Sequence, residues 1–502
     1  MSLPSKVGLP NEMVLGHLDS SLPPDAKSFS VKIQPSNLSS VVGTFSTHVG
    51  TNGSVSLAGD IAFPVQNIMF DLPCGASNSM FLDNRFTTVN FTATLKQTGA
   101  ASTASAITHS LLRSNANSYF DRMFITGQSG QILEDIGEYG LVNDTLIALQ
   151  MNTSVRHGTA NQYGFNTNLV SSASLDYPAI DGSQGHQWPS ATSNTVNNTE
   201  VHSYSVPLLS GIVGCTADKF LNIGRTSKLQ VTLQTSNIVP ITFYNSTDAV
   251  SGAQTAATWS LTLSNFSLQC EYVDIGLSAL SMLDDTLENG KSYIHGTTYR
   301  TSSVTLPVTT GSTSLLAGIR ASSVKSLFAR FSQGGAASLT GNANGKYDSP
   351  NPLLNGINYN VGGVKYPQTP VNPLLQPSQA FRETQMAIGS FNSSQFQSCI
   401  AASNYCKLSA GGVAQGNTSS SQDMNWSLGS AYSEQQQFIF GECMEVCARR
   451  GLLSGLNCTT APIFVEMNVS TAPTNSHTCY VQAMLDHVVI HDVKSGDITV
   501  RI

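Results

Sequence analysis

The chain has 502 residues and a mass of 53.2 kDa, about three times a typical domain, so two large cores are expected rather than one. Charged residues make up only 11% of it, less than half the roughly 25% usual in soluble proteins, and its net charge is -7. The first figure fits a surface largely covered by copies of the same chain, or a secreted protein. The second excludes the cationic footprint needed to wrap nucleic acid.

Residues 1–50 read as an arm, interrupted by Pro4, Pro10, Pro23, Pro24 and Pro35. A short strand is embedded where Phe29, Val31 and Ile33 alternate. The first domain is expected over 51–283. Strands are expected within 54–63, 85–97, 122–126, 228–234, 240–244 and 259–275, all rich in Val, Ile, Phe, Tyr and Thr. Among them 132–150 reads as a helix, because Ile136, Tyr139, Val142, Leu146 and Leu149 recur at steps of three and four; Gly140 weakens only its start.

A linker is expected over 284–294, where charge and Asn289-Gly290 break the apolar pattern, with a second domain over 295–502. Its strands are expected within 292–308, 323–332, 462–469, 479–493 and 496–502. Helices are expected over 379–389 and 438–450, the former after a long Pro/Gly/Asn-rich loop ending near 378. Both halves thus run through strands, a loop and a helix, and close on a long apolar strand. Many short strands with turns between them favour two all-β sandwiches over an α/β sheet. Long loops at 151–200 and 333–378 would project from the sandwich ends.

No catalytic, cofactor-binding or metal-ligating residue is assigned. Met1 to Lys6 leads into no apolar core, so no signal peptide is expected, and no apolar run reaches the 18 residues of a spanning helix. The nine cysteines (Cys74, Cys215, Cys270, Cys399, Cys406, Cys443, Cys447, Cys458, Cys479) are odd in number and scattered. They read as buried thiols of a chain made in a reducing compartment rather than as a disulfide framework. Ser454 in GLLSG sits one position too late for a nucleophile elbow, and the glycines of 411–419 lack a lysine for a phosphate loop. On a strand, His487 and His491 stand about 13 Å apart, too far to share a metal, and read as polar positions on the less buried face. Cys443 and Cys447 are spaced for one helix face but have no histidine partner nearby. Glu134, Asp135 and Glu138 cluster on the expected 132–150 helix. Sequons such as those at Asn37, Asn90 and Asn468 are no more frequent than so much Asn, Ser and Thr produces by chance. The adjacent Arg449-Arg450 reads as a helix C-terminus.

The segments YFDRMFITGQSGQILEDI (119–136), SLFARF (326–331), KYPQTPVNPLLQPSQAFRETQMAIGSF (365–391) and AMLDHVVIHDVKSGDITVRI (483–502) resemble double jelly-roll major capsid proteins. Among these, the segments resemble the proteins of small icosahedral double-stranded DNA viruses of eukaryotes, of the virophage, polinton-like and adintovirus kind. It spans residue 28 to the end and rests on order, spacing and length rather than on one diagnostic motif. The resemblance implies two eight-stranded sandwiches in one chain and a homotrimer of pseudo-hexagonal outline. It also implies trimers tiling an icosahedral shell around a DNA genome, outward loops forming towers, and an N-terminal arm beneath or between capsomers. Partners would be further copies of the chain, with penton and minor capsid proteins, and the location the virion. The absence of a strongly basic terminus leaves open what meets the genome or an inner membrane. Two other readings stand beside it. One is another self-assembling fibre, spike or surface-layer β protein; the other is a carbohydrate-active β-sandwich enzyme, which needs a carboxylate pair and an aromatic platform.

Overall fold

The computed structural model describes residues 26–49, 55–57, 63–98, 109–112, 114–164, 199–238, 241–244, 256–285, 287, 289–333, 345–347, 349–389, 398–400, 405, 437–445, 454–473 and 476–501. The first half is built from β1 (Lys27–Ile33), β2 (Ser40–Val49), β3 (Val55–Leu57), β4 (Asn67–Asp71), β5 (Met80–Thr98), β6 (His109–Leu112), β7 (Phe120–Gly127), β8 (Ile132–Gly137), β9 (Thr199–Pro207), β10 (Leu229–Thr235), β11 (Ile241–Tyr244) and β12 (Ala256–Asp274). Three helices, α1 (Tyr139–Gln150), α2 (Thr153–Gly158) and α3 (Ala160–Tyr163), follow β8, and α4 (Gly276–Asp284) follows β12. The second half holds β13 (Lys291–Leu306), β14 (Gly311–Ala317), β15 (Val324–Gln333), β16 (Leu354–Val361), β17 (Val364–Val371), α5 (Pro377–Ala387), β18 (Ile439–Cys443), β19 (Ile463–Val469), β20 (His477–Asp492) and β21 (Ile498–Arg501).

Each half forms two facing antiparallel sheets. In the second half the orders are β13-β20-β15-β18 and β14-β19-β16-β17; in the first they are β2-β12-β5-β9 and β4-β10-β7-β8. Counting the eight main strands of either half in chain order, both halves read 1-8-3-6 and 2-7-4-5, the strand order of a jelly roll. The chain is therefore all-β, with two tandem jelly rolls and short helices in the connections. β1 and β3 extend the first sheet, β21 pairs with β20, and β6 pairs with β11 as a separate ribbon inserted in the 3–4 and 7–8 connections of the first roll.

Alternation explains the cores. On β5, Val89, Phe91, Ala93 and Leu95 point inward; on β20, Cys479, Val481, Ala483 and Leu485 do. Phe91 meets Tyr119, Phe120, Tyr204 and Phe266 at ring separations of 5.2–6.1 Å, closing the first sandwich around aromatic rings. Leu327, Phe331, Tyr359, Phe440 and Val465 fill the second.

Four expectations are corrected. Residues 40–49, expected in the arm, form β2, which is hydrogen-bonded to β12 of the same chain, as is β1, the short strand expected over 28–33. Residues 132–137 are a strand, because they return from β7 as a hairpin; only Tyr139 onward is helical. The stretch 438–450 is not a helix where it is described: 439–443 form β18, whose side chains are nearly all buried, so no alternation marks it. The supposed loop 333–378 contains β16 and β17. Their two-residue turn, Gly362-Gly363, has φ of 59° and 93°, as a type I′ hairpin requires. Pro367 and Pro370 are tolerated because β17 is an edge strand.

Candidate functional site

The most elaborate polar region is the seam between the two jelly rolls. On β15, Leu327, Ala329 and Phe331 enter the second core, which leaves Phe328 and Arg330 facing the first sandwich. Arg330, with a side chain only 2% exposed, donates to Asp144 Oδ2 at 2.8 Å, Thr145 Oγ1 at 3.0 Å and the Tyr347 carbonyl at 2.9 Å. Asp144 also accepts from Ser114 Oγ. Beside them, Lys346 pairs with Asp121 at 2.7 Å and Glu138 at 2.5 Å. Gly140 is required here by close approach: a Cβ at that position would lie 2.6 Å from Tyr347 Oη and 2.8 Å from the Asn117 carbonyl. Ala148 and Leu149 of α1 complete this part against Phe328, Ala387 and Ile439.

Lower in the seam, Glu134 is buried on β8 and accepts from Ser210 Oγ at 2.5 Å and the Gly211 amide at 2.9 Å. The loop it anchors runs along β13. The Thr297 amide donates to the Thr216 carbonyl at 3.2 Å, Thr216 Oγ1 to the Thr297 carbonyl at 2.7 Å, and the Asp218 amide to the His295 carbonyl at 2.8 Å. Gly211 and Gly296 meet backbone to backbone; a Cβ on Gly296 would lie 2.8 Å from the Gly211 oxygen. Farther along, the Ser227 amide donates to the Gly496 carbonyl at 3.0 Å, and Ile498 and Val489 join the first core.

His487 and His491 are not on a less buried face. Both are fully buried in the seam, His487 against Gly211 and His491 with Nε2 3.5 Å from Thr226 Oγ1. Burial holds both imidazoles below their ordinary range; the Glu134 charge only partly offsets this for His487. Each touches a different segment of the first sandwich, so they do not converge. Asp486 accepts from Ser323 Oγ and the Ser454 amide, while Asp492 accepts from the Lys494 and Ser495 amides of a turn.

The three clustered acids are separated as well. Strand alternation turns Glu134 inward and Asp135 outward, where Asp135 makes a bidentate pair with Arg122, and Glu138 goes to Lys346. Ser454 donates to Glu445 at 2.7 Å, with no histidine in that contact. Burial pushes the thiols of Cys270 and Cys479 up to about 12 and that of Cys458 to about 11, which suppresses the thiolate. Seven cysteines are free; Cys406, Cys447, Arg449 and Arg450 lie outside the described residues. Among the described residues no three His, Cys, Asp or Glu side chains group as a metal set. A cavity of about 420 Å³ opens beside the seam, lined chiefly by Leu146, Met151, Tyr163, Leu209 and Tyr299. Its walls are mostly apolar, the polar exceptions being Asn143, Gln150, Asn152 and Thr216, and no acid and base converge in it. What the seam does is mechanical: it fixes one jelly roll against the other through ion pairs, backbone bonds and packed side chains.

Sequence reasoning passed over Arg330, Asp144 and Lys346. The signal available was an arginine inside the apolar run SLFARF, since a cation in a core strand must find a buried partner.

No family model matches the chain, and no curated protein matches it. Solved structures do, at low identity and nearly full length. The crystal structure of the mavirus major capsid protein aligns with a TM-score of 0.53 and 11% identity, covering 100% of this chain and 95% of that one. A chain from the cryo-EM structure of the Sputnik virophage aligns at 0.51 and 14%, covering 98% and 92%. The Faustovirus major capsid protein aligns at 0.51 and 10%, covering 95% and 93%. The likeness extends over both jelly rolls in one alignment, which places the chain in the double jelly-roll fold.

Proposed function

We propose that the chain is a major capsid protein: a structural subunit that forms homotrimeric, pseudo-hexagonal capsomers tiling an icosahedral shell around a DNA genome. The observation that carries this reading is the pair of jelly rolls of identical strand order, locked in one orientation by the buried Arg330–Asp144 seam. A shell subunit needs that rigidity, because a hinge between its two rolls would let the capsomer outline vary from copy to copy. Low charge supports the same reading, since large obligate interfaces tolerate few unpaired charges at their centre. The proposed division sets the first roll apart from the second near 284–294. Its partners are further copies of itself, with penton and minor capsid proteins, and its place is the virion, after synthesis in a reducing compartment. Free thiols at the described cysteines accord with that compartment.

The test is sedimentation and negative-stain microscopy of the purified protein at micromolar concentration. A species of three times 53.2 kDa with a hexagonal outline is expected; one monomeric species would overturn the proposal.

A further inference from the structure

The cavity beside the seam is walled by both jelly rolls. Leu146 and Ile147 of α1 form one side, Tyr163 of α3 another, and Leu209 and Cys215 of the loop after β9 a third, while Tyr299 of β13 enters from the second roll. The fold itself holds these walls in place. The Leu209 amide donates to Tyr139 Oη at 3.0 Å and the Cys215 amide to the Leu208 carbonyl at 3.0 Å, and Tyr299 sits in register with Met484 inside a sheet. The space between them is about 420 Å³. That lies within the roughly 300–1,000 Å³ of small-molecule pockets and well above the roughly 150 Å³ of an apolar cavity that takes up benzene.

The chemistry of the walls selects an occupant. Cys215 is exposed, yet burial pushes its thiol up to about 11, as expected of a side chain that solvent reaches only inside a cavity. Burial likewise pushes the Tyr163 phenol up to about 12 and raises that of Tyr299. All three groups are therefore neutral near pH 7, and among the described residues no Lys, Arg, Asp or Glu lines the space. The charge that acts on Cys215 and Tyr299 is that of Glu134, whose oxygens already accept from Ser210 and Gly211. It repels an anion and offers a cation no direct partner, while either ion would lose its hydration on entering. The Gln150 amide, which makes no hydrogen bond among the described residues, is left as a donor and acceptor for a neutral polar group.

We infer that this cavity is a binding site for an uncharged, mainly apolar small molecule with a flat ring system, held between the two jelly rolls of one chain. Two tyrosine rings in the wall favour a flat aromatic partner through offset or edge contacts. Because α1 and Tyr299 belong to different rolls, such a ligand binds the joined pair and neither roll alone, and so stabilises their junction. Every wall comes from a single chain, so the site is complete without a second copy and does not rest on the capsomer reading.

The test is a thiol footprint on the full chain. The probe is neutral N-phenylnaphthylamine, and its sulfonated analogue, anilinonaphthalene sulfonate, supplies the same rings with a charge. N-ethylmaleimide labels Cys215, and peptide mass spectrometry reads the rate. With the neutral probe at ten times its Kd, labelling should slow about elevenfold, by one plus the ratio of ligand concentration to Kd. Cys443, half-buried on β18 of the other roll, should label at an unchanged rate. The sulfonated analogue at the same concentration should slow Cys215 by less than about twofold. Ile147→Trp, which enlarges a wall residue, should weaken the neutral probe by about tenfold or more. Should that variant melt below the wild type, the wild-type footprint decides alone. An unchanged Cys215 rate with the neutral probe, equal protection by the sulfonated analogue, a folded Ile147→Trp that binds as before, or a Cys215 that labels only in urea would each overturn the site. None of these outcomes bears on trimer formation, which sedimentation tests separately.

Discussion

Replacing Arg330 by methionine should weaken the seam before it weakens either core. The guanidinium makes three hydrogen bonds, to Asp144, Thr145 and the Tyr347 carbonyl, from a side chain that is almost entirely buried. Methionine fills much of the same volume but leaves the Asp144 carboxylate with Ser114 as its remaining side-chain donor. Breaking one side of such a pair costs about 3–5 kcal/mol, because a charge stays buried without compensation. Against a net stability of about 5–15 kcal/mol for a domain, that is a large share. The Leu327–Phe331 core of the second sandwich and the Phe91 cluster of the first do not include Arg330, so each roll should keep its own fold. Calorimetry of Arg330→Met should therefore show two resolved transitions where the wild type shows one. In a double-mutant cycle, adding Asp144→Asn should cost less than the sum of the single changes, since no unpaired charge then remains. A variant within 1 kcal/mol of wild type that melts in a single unchanged transition would refute this account of the seam.

Three further outcomes are expected. Burial first, and then the nearby Glu383 charge, push the Glu442 carboxyl up to about 8, so its folded state holds a proton that the unfolded state has released above its ordinary value near 4.5. Stability from this group is present at low pH and is lost as pH rises towards 8; Glu442→Gln should raise the melting temperature at pH 8 and change little at pH 4, measured by differential scanning fluorimetry. His487 has the opposite sign: its folded value is lowered, so its contribution is full above the ordinary 6.5 and is lost as pH falls below it. His487→Asn should flatten the fall in melting temperature between pH 7 and pH 5, and an unchanged slope would exclude His487 as its source. Deleting 497–502 removes β21 from β20 and Ile498 from the first core, so that chain should aggregate or misfold, whereas deleting 1–26 should leave the oligomer intact; size-exclusion chromatography of both decides.

Much of the fold was legible because it is written in local patterns. Period-two runs such as 85–97 and 259–275 place one face in a core whatever packs opposite, and the 379–389 helix is read from its own spacing. Composition carried the assembly reading in the same way, since a low charge content is a property of the chain and not of its arrangement. The hidden elements each lacked such a local sign. β18 is buried on all sides, β17 is an edge strand broken by prolines, and β8 shares Ile136 with a helical period that only the hairpin with β7 overrides.

The site was less legible than the fold. Glu134, Asp135 and Glu138 look like one cluster along the chain, yet three different partners claim them: Ser210, Arg122 of the adjoining hairpin strand, and Lys346 of the other half. His487 and His491 look solvent-facing by their polarity, and become buried because Gly211 and the 225–227 turn of the other sandwich close over them. The sequence by itself determined that the long period-two runs form strands and that the chain is suited to covering its surface with copies of itself, because periodicity and charge content need no partner to be expressed. Only the tertiary structure decided which polar groups meet across the seam, because a buried charge is satisfied by whatever the fold brings within 3 Å, about 186 residues away in the case of Arg330 and Asp144.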